Sequence, residues 1–205
     1  MPYMPWIILR ILISYLIGSI PTAYIFGRLL KGIDIRNFGS GNVGATNALR
    51  VLGKGPAITV LVLDILKGLV AVAFLGNEET LRIIFGLGCI LGHNWPVFLG
   101  FKGGKGIATS FGVLAGLSIK IAGLRLILLL AVLTWILILA IVRIVSVASI
   151  STAVFLPMYM VMFRQSKMLI SLSILLCIFV ILRHKSNLKR VFQGKEPRLT
   201  FKKSV

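Results

Sequence analysis

Seven apolar stretches, separated by short polar segments, occupy most of this 205-residue sequence. A membrane-spanning helix needs about 20 apolar residues, so six stretches are long enough or nearly so, whereas the fourth is shorter than a full crossing. The stretches are Trp6–Phe26, Ile58–Leu75, Leu81–Leu99, Ile107–Ile119, Leu126–Val142, Val147–Phe163 and Met168–Leu182. The sequence therefore predicts an all-α polytopic membrane protein with seven transmembrane helices and glycine-rich cytoplasmic loops.

Basic residues indicate how these spans are oriented. If the N-terminus lies outside, sixteen Lys and Arg residues fall on the inner side of the membrane and five on the outer side. This asymmetry follows the positive-inside rule. It predicts a multi-pass protein whose C-terminus and glycine-rich polar segments all face the cytoplasm.

Composition excludes several classes of partner and site. The net charge of +18 is dispersed among apolar spans and no base-reading module is visible, so we expect anionic lipids and anionic substrates and no nucleic acid. The acidic residues are scattered, which argues against a carboxylate metal site or a catalytic carboxylate pair. We expect no metal and no cofactor. These five acids are Asp34, Asp64, Glu78, Glu79 and Glu196.

The first polar segment, which includes the run from Asn37 to Val51, has the composition of an anion-binding loop. Glycines allow backbone N–H groups to converge on an anion, and a helix that begins after them adds its positive end. Arg50 follows Thr46 by one helical turn and supplies a planar set of donors. Gly39–Gly44 also matches GxGxxG, but no strand or βαβ unit is available for a dinucleotide fold. A tight turn with a capped helix is the alternative.

The second and third polar segments are cationic. Gly100–Gly106 places Lys102 and Lys105 among four glycines but lacks the spacing of a nucleotide-binding P-loop. In the third segment, Arg183–Glu196, the residues His184 and Asn187 are three positions apart and so share one helical face. A histidine and an amide placed together can bind a phosphate or a hydroxyl. Interfacial basic loops are the alternative for both segments.

Other polar residues are expected to support the fold. Asp64 and Lys67, three residues apart in the second stretch, predict a mutually neutralising pair in preference to a proton relay. The run from His93 to Pro96 predicts a packed belt near the membrane interface. Cys89 and Cys177 lie in apolar stretches and are expected to be core residues.

Together the polar segments resemble the bacterial acyl-phosphate:glycerol-3-phosphate acyltransferases, the PlsY family of integral membrane enzymes, along nearly the whole chain. The resemblance rests on the run from Ser40 to Asn47 with Arg50, on Gly100–Gly106, and on Arg183-His184 with Asn187, Arg190, Gly194 and Glu196. It implies a single transmembrane acyltransferase domain, residues 1–205, in the bacterial cytoplasmic membrane. We expect a monomer that moves a fatty acyl group from acyl phosphate to the sn-1 hydroxyl of glycerol 3-phosphate, giving lysophosphatidic acid and phosphate.

The resemblance also implies roles for individual residues. The acyl phosphate would be bound by Ser40, Gly41, Asn42, Gly44, Thr46 and Asn47. Glycerol 3-phosphate would be bound by Arg50, Lys102, Gly103, Gly104, Lys105, Ser149, His184 and Asn187. Of these, Arg50, Ser149, His184 and Asn187 are the expected catalytic residues, and Glu196 is the expected structural carboxylate.

An acyl phosphate already carries a good leaving group, so transfer depends on alignment and on stabilising developing negative charge. The hydroxyl proton goes either to His184 or to a substrate phosphate oxygen, and substrate assistance is favoured here. The spacing of a histidine five residues before an aspartate, known from CoA-dependent acyltransferases, is absent after both His93 and His184. The open alternatives are a transporter of a phosphorylated metabolite and a non-catalytic binder of anionic lipid.

Overall fold

The computed structural model describes residues 4–76 and 78–199, and within them the chain is helical with no strand. The all-helical prediction is confirmed. Two short 3₁₀ turns are present among these residues: Ile35–Asn37 leads into the first polar segment, and Val97–Leu99 directly precedes the second. The α-helices are α1 (Met4–Ser19), α2 (Thr22–Lys31), α3 (Ala45–Val51), α4 (Lys54–Leu75), α5 (Glu79–Asn94), α6 (Ile107–Lys120), α7 (Gly123–Val142), α8 (Val145–Met162), α9 (Lys167–Arg183) and α10 (Lys185–Phe192).

The helices agree with a multi-pass membrane protein. Among the described residues, five segments are long and apolar enough to cross a bilayer: Met4–Lys31, Lys54–Leu75, Glu79–Leu99, Gly123–Val142 and Val145–Met162. A sixth is formed if α9 and α10, which meet at a bend of 59°, count as one span. Helix α6, which covers the short fourth stretch, is apolar but has only 14 residues.

Proline accounts for two differences from the predicted stretches. The first stretch is interrupted between α1 and α2, where Pro21 precedes the first residue of α2 and disfavours helical backbone at Ile20. The third predicted stretch ends earlier as an α-helix, at Asn94, and continues beyond Pro96 as a 3₁₀ turn. Both interruptions lie beside polar groups described below.

The chain divides into two compact units, Met1–Ile121 and Ala122–Val205. In the first unit α1 packs against α5, and α4 packs against α6. Glycines bring these helices close together. A β-carbon at Gly18 of α1 would overlap the backbone of α5, and one at Gly92 of α5 would overlap α1. Gly68 and Gly112 make the corresponding contacts between α4 and α6. Small residues that allow backbones to approach are typical of helix pairs in membranes.

In the second unit α8 packs between α7 and α9. Helix α7 buries few side chains and leaves large apolar ones exposed around it, among them Ile141, which is 69% exposed. A helix that is apolar on all sides is suited to a lipid environment, because it has no polar face to present to water. The Ser166 hydroxyl caps α9 by accepting from the backbone N–H of Leu169.

Candidate active site

Asn47 organises the first polar segment from within. Its side chain is fully buried, and its Oδ1 accepts a hydrogen bond from the backbone N–H of Ser40 at 2.8 Å. Its Nδ2 donates to the carbonyls of Ile35 at 3.3 Å and Phe38 at 3.0 Å. Buried backbone groups require such partners, so this amide stabilises the loop conformation. The side chain is used inside the loop.

The loop presents other groups outward. Gly39 and Gly41 adopt φ of 61° and 70°, values that favour glycine, and Ser40 between them is exposed. Arg50 is also exposed, and Asn42 and Thr46 are partly exposed. Beneath them, buried apolar side chains from α2, α4 and the polar segments form a small core: Ala23, Ile35, Val43, Ala48, Ala57, Val60 and Leu99. The groups that could donate hydrogen bonds to an anion therefore lie over a packed apolar core.

An ion pair braces the start of this loop. The Arg36 guanidinium lies 2.7 Å from Asp34, and hydrogen bonds from it lower the pKa of that carboxyl from 3.8 to about 2, against the opposing effect of burial. Asp34 Oδ1 also accepts from the backbone N–H of Arg36. Arg36 Nη1 reaches the carbonyl of Leu99 at 3.5 Å, directly before the second polar segment. The two polar segments of the first unit are thereby joined.

The second polar segment turns sharply at its ends. Gly100, Phe101 and Gly106 have φ of 59°, 62° and 77°. Lys102 is exposed and Lys105 is partly exposed. The segment lies against the end of α5, where the backbone N–H of Gly104 donates to a carbonyl at 3.0 Å.

In the second unit His184 occupies the bend between α9 and α10. Its Nδ1 lies 2.8 Å from the carbonyl of Val180. A carbonyl only accepts hydrogen bonds, so Nδ1 carries the proton in the neutral ring and Nε2 carries the lone pair. The imidazole is 2% exposed, so its orientation is set by the surrounding protein.

Glu196 gathers the polar residues near the end of this unit. Its carboxylate accepts hydrogen bonds from Ser146 Oγ at 3.0 Å, Asn187 Nδ2 at 2.5 Å and Arg190 Nε at 2.7 Å. Burial would raise the pKa of Glu196, but these hydrogen bonds outweigh that effect and lower it. Because Nδ2 of Asn187 points to Glu196, the amide is held in one orientation.

Ser149, the remaining residue expected from the second unit, is buried in α8. Its Oγ accepts a hydrogen bond from Trp135 Nε1 at 3.2 Å. Within the described ranges, no three His, Cys, Asp or Glu side chains are grouped as metal ligands.

Comparison with known proteins identifies the family. A model of the family described as "Glycerol-3-phosphate acyltransferase" matches residues 8–194. The chain belongs to this family. A glycerol-3-phosphate acyltransferase of Parasynechococcus marenigrum is 42% identical over 195 residues, which cover 94% of this chain and 89% of the relative. One from Gloeobacter violaceus is 43% identical over 193 residues, 91% of each chain.

Solved structures give the same result for the fold. The chain is similar to PlsY, an integral membrane glycerol 3-phosphate acyltransferase, in its glycerol 3-phosphate form. The TM-score is 0.85 at 36% identity, with 95% of this chain and 96% of that chain covered. A second PlsY structure, in the lysophosphatidic acid form, has a TM-score of 0.82.

These findings confirm the resemblance inferred from the sequence. The chain is an acyltransferase of the glycerol-3-phosphate acyltransferase family and a multi-pass membrane protein, and the transporter alternative is not supported. The roles of individual residues stay predictions.

Sequence reasoning missed several residues that organise the acyltransferase. Ser146, which belongs to none of the motifs, donates to Glu196. Arg36 and Trp135 also lie outside the motifs and bond Leu99 and Ser149. Glu196 is the only acidic residue after Glu79. That isolation was the available signal that it gathers donors from elsewhere in the chain.

Proposed function

We propose that this acyltransferase moves a fatty acyl group from acyl phosphate to the sn-1 hydroxyl of glycerol 3-phosphate, releasing lysophosphatidic acid and phosphate. The observation that carries this proposal is the similarity, over nearly the full length, to PlsY structures in a glycerol 3-phosphate form and a lysophosphatidic acid form. The exposed, internally braced donors of both polar segments of the first unit are consistent with phosphate-bearing substrates.

For the acyl phosphate we retain Ser40, Gly41, Asn42, Gly44 and Thr46 as binding residues, through backbone N–H groups and small polar side chains. Asn47 receives a different role in this proposal. Its amide already bonds three backbone groups and is fully buried, so it supports the phosphate loop from inside instead of contacting the substrate.

For glycerol 3-phosphate we retain the residues expected from the resemblance. Arg50, Lys102 and Lys105 supply positive charge, and Gly103 and Gly104 allow a close approach of the backbone. Ser149, His184 and Asn187 supply neutral polar groups, of which the last is oriented by the structural carboxylate Glu196.

The reaction needs no enzyme-bound acyl group. The substrate hydroxyl oxygen attacks the carbonyl carbon, the bond from that carbon to the phosphate oxygen breaks, and phosphate leaves with the electron pair. The hydroxyl proton passes to a substrate phosphate oxygen as the new bond to the carbonyl carbon forms, and His184 contributes to the binding of glycerol 3-phosphate. Alignment of this kind supplies a large part of the rate enhancement in bimolecular transfers.

We also propose seven spans, an outside N-terminus and a cytoplasmic C-terminus in the bacterial cell membrane, with the polar segments on the cytoplasmic side. Counting α6 as a crossing gives this topology, and the distribution of basic residues supports it. The enzyme acts as one transmembrane domain and as a monomer.

The donor is tested with the purified full-length protein in detergent, given glycerol 3-phosphate and either palmitoyl phosphate or palmitoyl-CoA without added metal. We expect lysophosphatidate and phosphate to form only with palmitoyl phosphate. Turnover with palmitoyl-CoA alone would overturn the donor assignment, and no product from either donor would contradict the proposed reaction.

Site variants are compared in the same assay. Asn187→Ala should abolish turnover, whereas Ser186→Ala, an exposed neighbour, should not. His184→Ala should raise KM for glycerol 3-phosphate more than it lowers kcat. A large loss of kcat at unchanged KM would instead assign the proton transfer to His184.

A further inference from the structure

A buried polar cluster lies in the first unit where α2, α4 and α5 meet. Asp64 Oδ1 accepts a hydrogen bond from Thr22 Oγ1 at 2.8 Å, and it lies 2.8 Å from Lys67 Nζ and 3.6 Å from His93 Nδ1. None of the four side chains is more than 7% exposed. Lys67 also donates to the carbonyl of Ile20, at the interruption between α1 and α2. Buried charges persist where they are paired in this way, so the cluster holds its members in fixed positions.

His93 connects this cluster to the second polar segment. One ring nitrogen, Nδ1, faces Asp64, while the opposite edge of the ring, at Nε2, lies against the backbone of Gly104. The backbone carbonyl of His93 accepts the 3.0 Å hydrogen bond from the N–H of Gly104. A β-carbon at residue 104 would overlap the ring, and one at residue 103 would overlap the His93 carbonyl.

The neighbouring residue adds a second contact of the same kind. Asn94 is 1% exposed, and a β-carbon at Gly106 would lie 2.6 Å from its Oδ1. The His93 and Asn94 side chains thus lie against Gly104 and Gly106, while Gly103 lies against the His93 carbonyl and Pro96. The glycines of this loop are explained by contact with α5 as well as by approach to a substrate.

We propose that His93, which faces the Asp64–Lys67 ion pair through Asp64, is a positioning residue that sets the conformation of the loop carrying Lys102 and Lys105. The inference rests on the proposed binding of glycerol 3-phosphate by this loop. The His93 ring lies between Asp64 and the backbone of Gly104, so its effect on substrate binding passes through the loop. The Thr22 hydroxyl donates to Asp64, and the Ile20 carbonyl accepts from Lys67. Both groups lie at the break between α1 and α2, beside Pro21.

Loss of this support has a specific kinetic signature. A loop that samples several conformations binds glycerol 3-phosphate less often, whereas the complex, once formed, still has every catalytic group. His93→Ala is therefore expected to raise KM for glycerol 3-phosphate about tenfold, with kcat and KM for acyl phosphate changed less than about threefold. A general loss of folded enzyme would lower kcat and leave KM as in the wild type.

The decisive test is a rescue at Gly104. Gly104→Ala should raise KM because the added methyl group meets the His93 ring. In His93→Ala/Gly104→Ala the ring is gone, so KM should match that of His93→Ala alone within about twofold instead of showing the product of the two effects. If His93→Ala does not fold, His93→Asn replaces it, because it keeps an amide near Asp64 and lacks the Nε2 and Cε1 atoms.

Gly103→Ala is the matched control for the rescue. Its methyl group would meet the backbone carbonyl of His93, which every substitution of that side chain retains, and also the ring of Pro96. His93→Ala should therefore not rescue Gly103→Ala. Gly55→Ala, where a β-carbon meets nothing within 4 Å, should leave KM unchanged. Equal rescue of both loop variants, or of neither, would overturn the proposal.

Hydrogen exchange separates this inference from the proposed function. In the substrate-free full-length protein, His93→Ala should accelerate amide exchange in residues 100–106, while Gly55→Ala should not. If the wild type gave no turnover yet this acceleration occurred, the reaction would be contradicted and the support by His93 would stand. Wild-type turnover with unchanged exchange and KM in His93→Ala would overturn the positioning role alone.

Discussion

Single polar side chains each satisfy several partners in this protein. Asn47 bonds three backbone groups of the first polar segment, and Glu196 bonds three side chains of the second unit. A buried donor or acceptor that loses its partner costs its full desolvation free energy. Each of these two side chains therefore contributes to the stability of the folded protein through several hydrogen bonds. Both fix the conformation of residues that we assign to substrate binding.

Asn47→Ala is predicted to lower the free energy of unfolding by about 1–3 kcal/mol, because one N–H and two carbonyls lose a buried partner. Thermal unfolding of the detergent-solubilised protein measures this change. Asn37→Ala, which removes the same amide from an exposed position of the same segment, serves as the control. Unchanged stability together with a raised KM for acyl phosphate would return Asn47 to the role of a direct ligand.

At the scale of elements, glycines bring the backbones of neighbouring helices into direct contact. Helices α4 and α6 meet through Gly68 and Gly112, and α1 and α5 meet through Gly18 and Gly92. Close approach gains many weak dispersion contacts, which matter in a bilayer because lipid tails are as apolar as the helices. This packing holds the short helix α6, which follows the cationic loop directly.

Gly112→Ala is predicted to destabilise the protein by about 1–3 kcal/mol, since the added methyl group overlaps the backbone of α4 and forces the helices apart. The melting temperature measures the loss. Gly55→Ala in α4 is the matched control, because its β-carbon meets open space, and it should leave the melting temperature at or above that of the wild type. Equal melting temperatures for the two variants would contradict this prediction, because they would show that α4 and α6 can move apart without loss of stability.

At the scale of the whole molecule, the distribution of charge and the number of spans together fix the topology. In the proposed topology sixteen basic residues lie on one side, which favours a cytoplasmic location for that side. Lys202 and Lys203, which belong to this count, lie outside the described residues. The short helix α6 decides whether the count of crossings is odd, and so whether both termini lie on the same side.

Fusions of alkaline phosphatase, which is active only outside the cytoplasm, test the crossing of α6. We expect no phosphatase activity for a fusion after Gly106, activity for one after Lys120, and none at the C-terminus. Green fluorescent protein at the same three positions provides the reciprocal measurement, because it fluoresces only in the cytoplasm. Equal phosphatase activity after Gly106 and Lys120 would mean that α6 does not cross the membrane.

The sequence by itself determined the membrane class, the helical fold and the family. Length, hydropathy and motif spacing are local properties, and the apolar stretches and the run from Ser40 to Asn47 could be identified from neighbouring residues alone. The Asp64–Lys67 pair was also predictable, because its partners are three residues apart on one helix.

Only the tertiary structure showed what the polar side chains contact. The motif alone does not show that the Asn47 amide bonds the backbone inside the loop. Nor does the predicted packed belt show that the His93 ring lies against Gly104. Ser146 and Glu196 are 50 residues apart in the chain. Contacts of this kind arise when separate helices pack together, so no local pattern in the sequence encodes them.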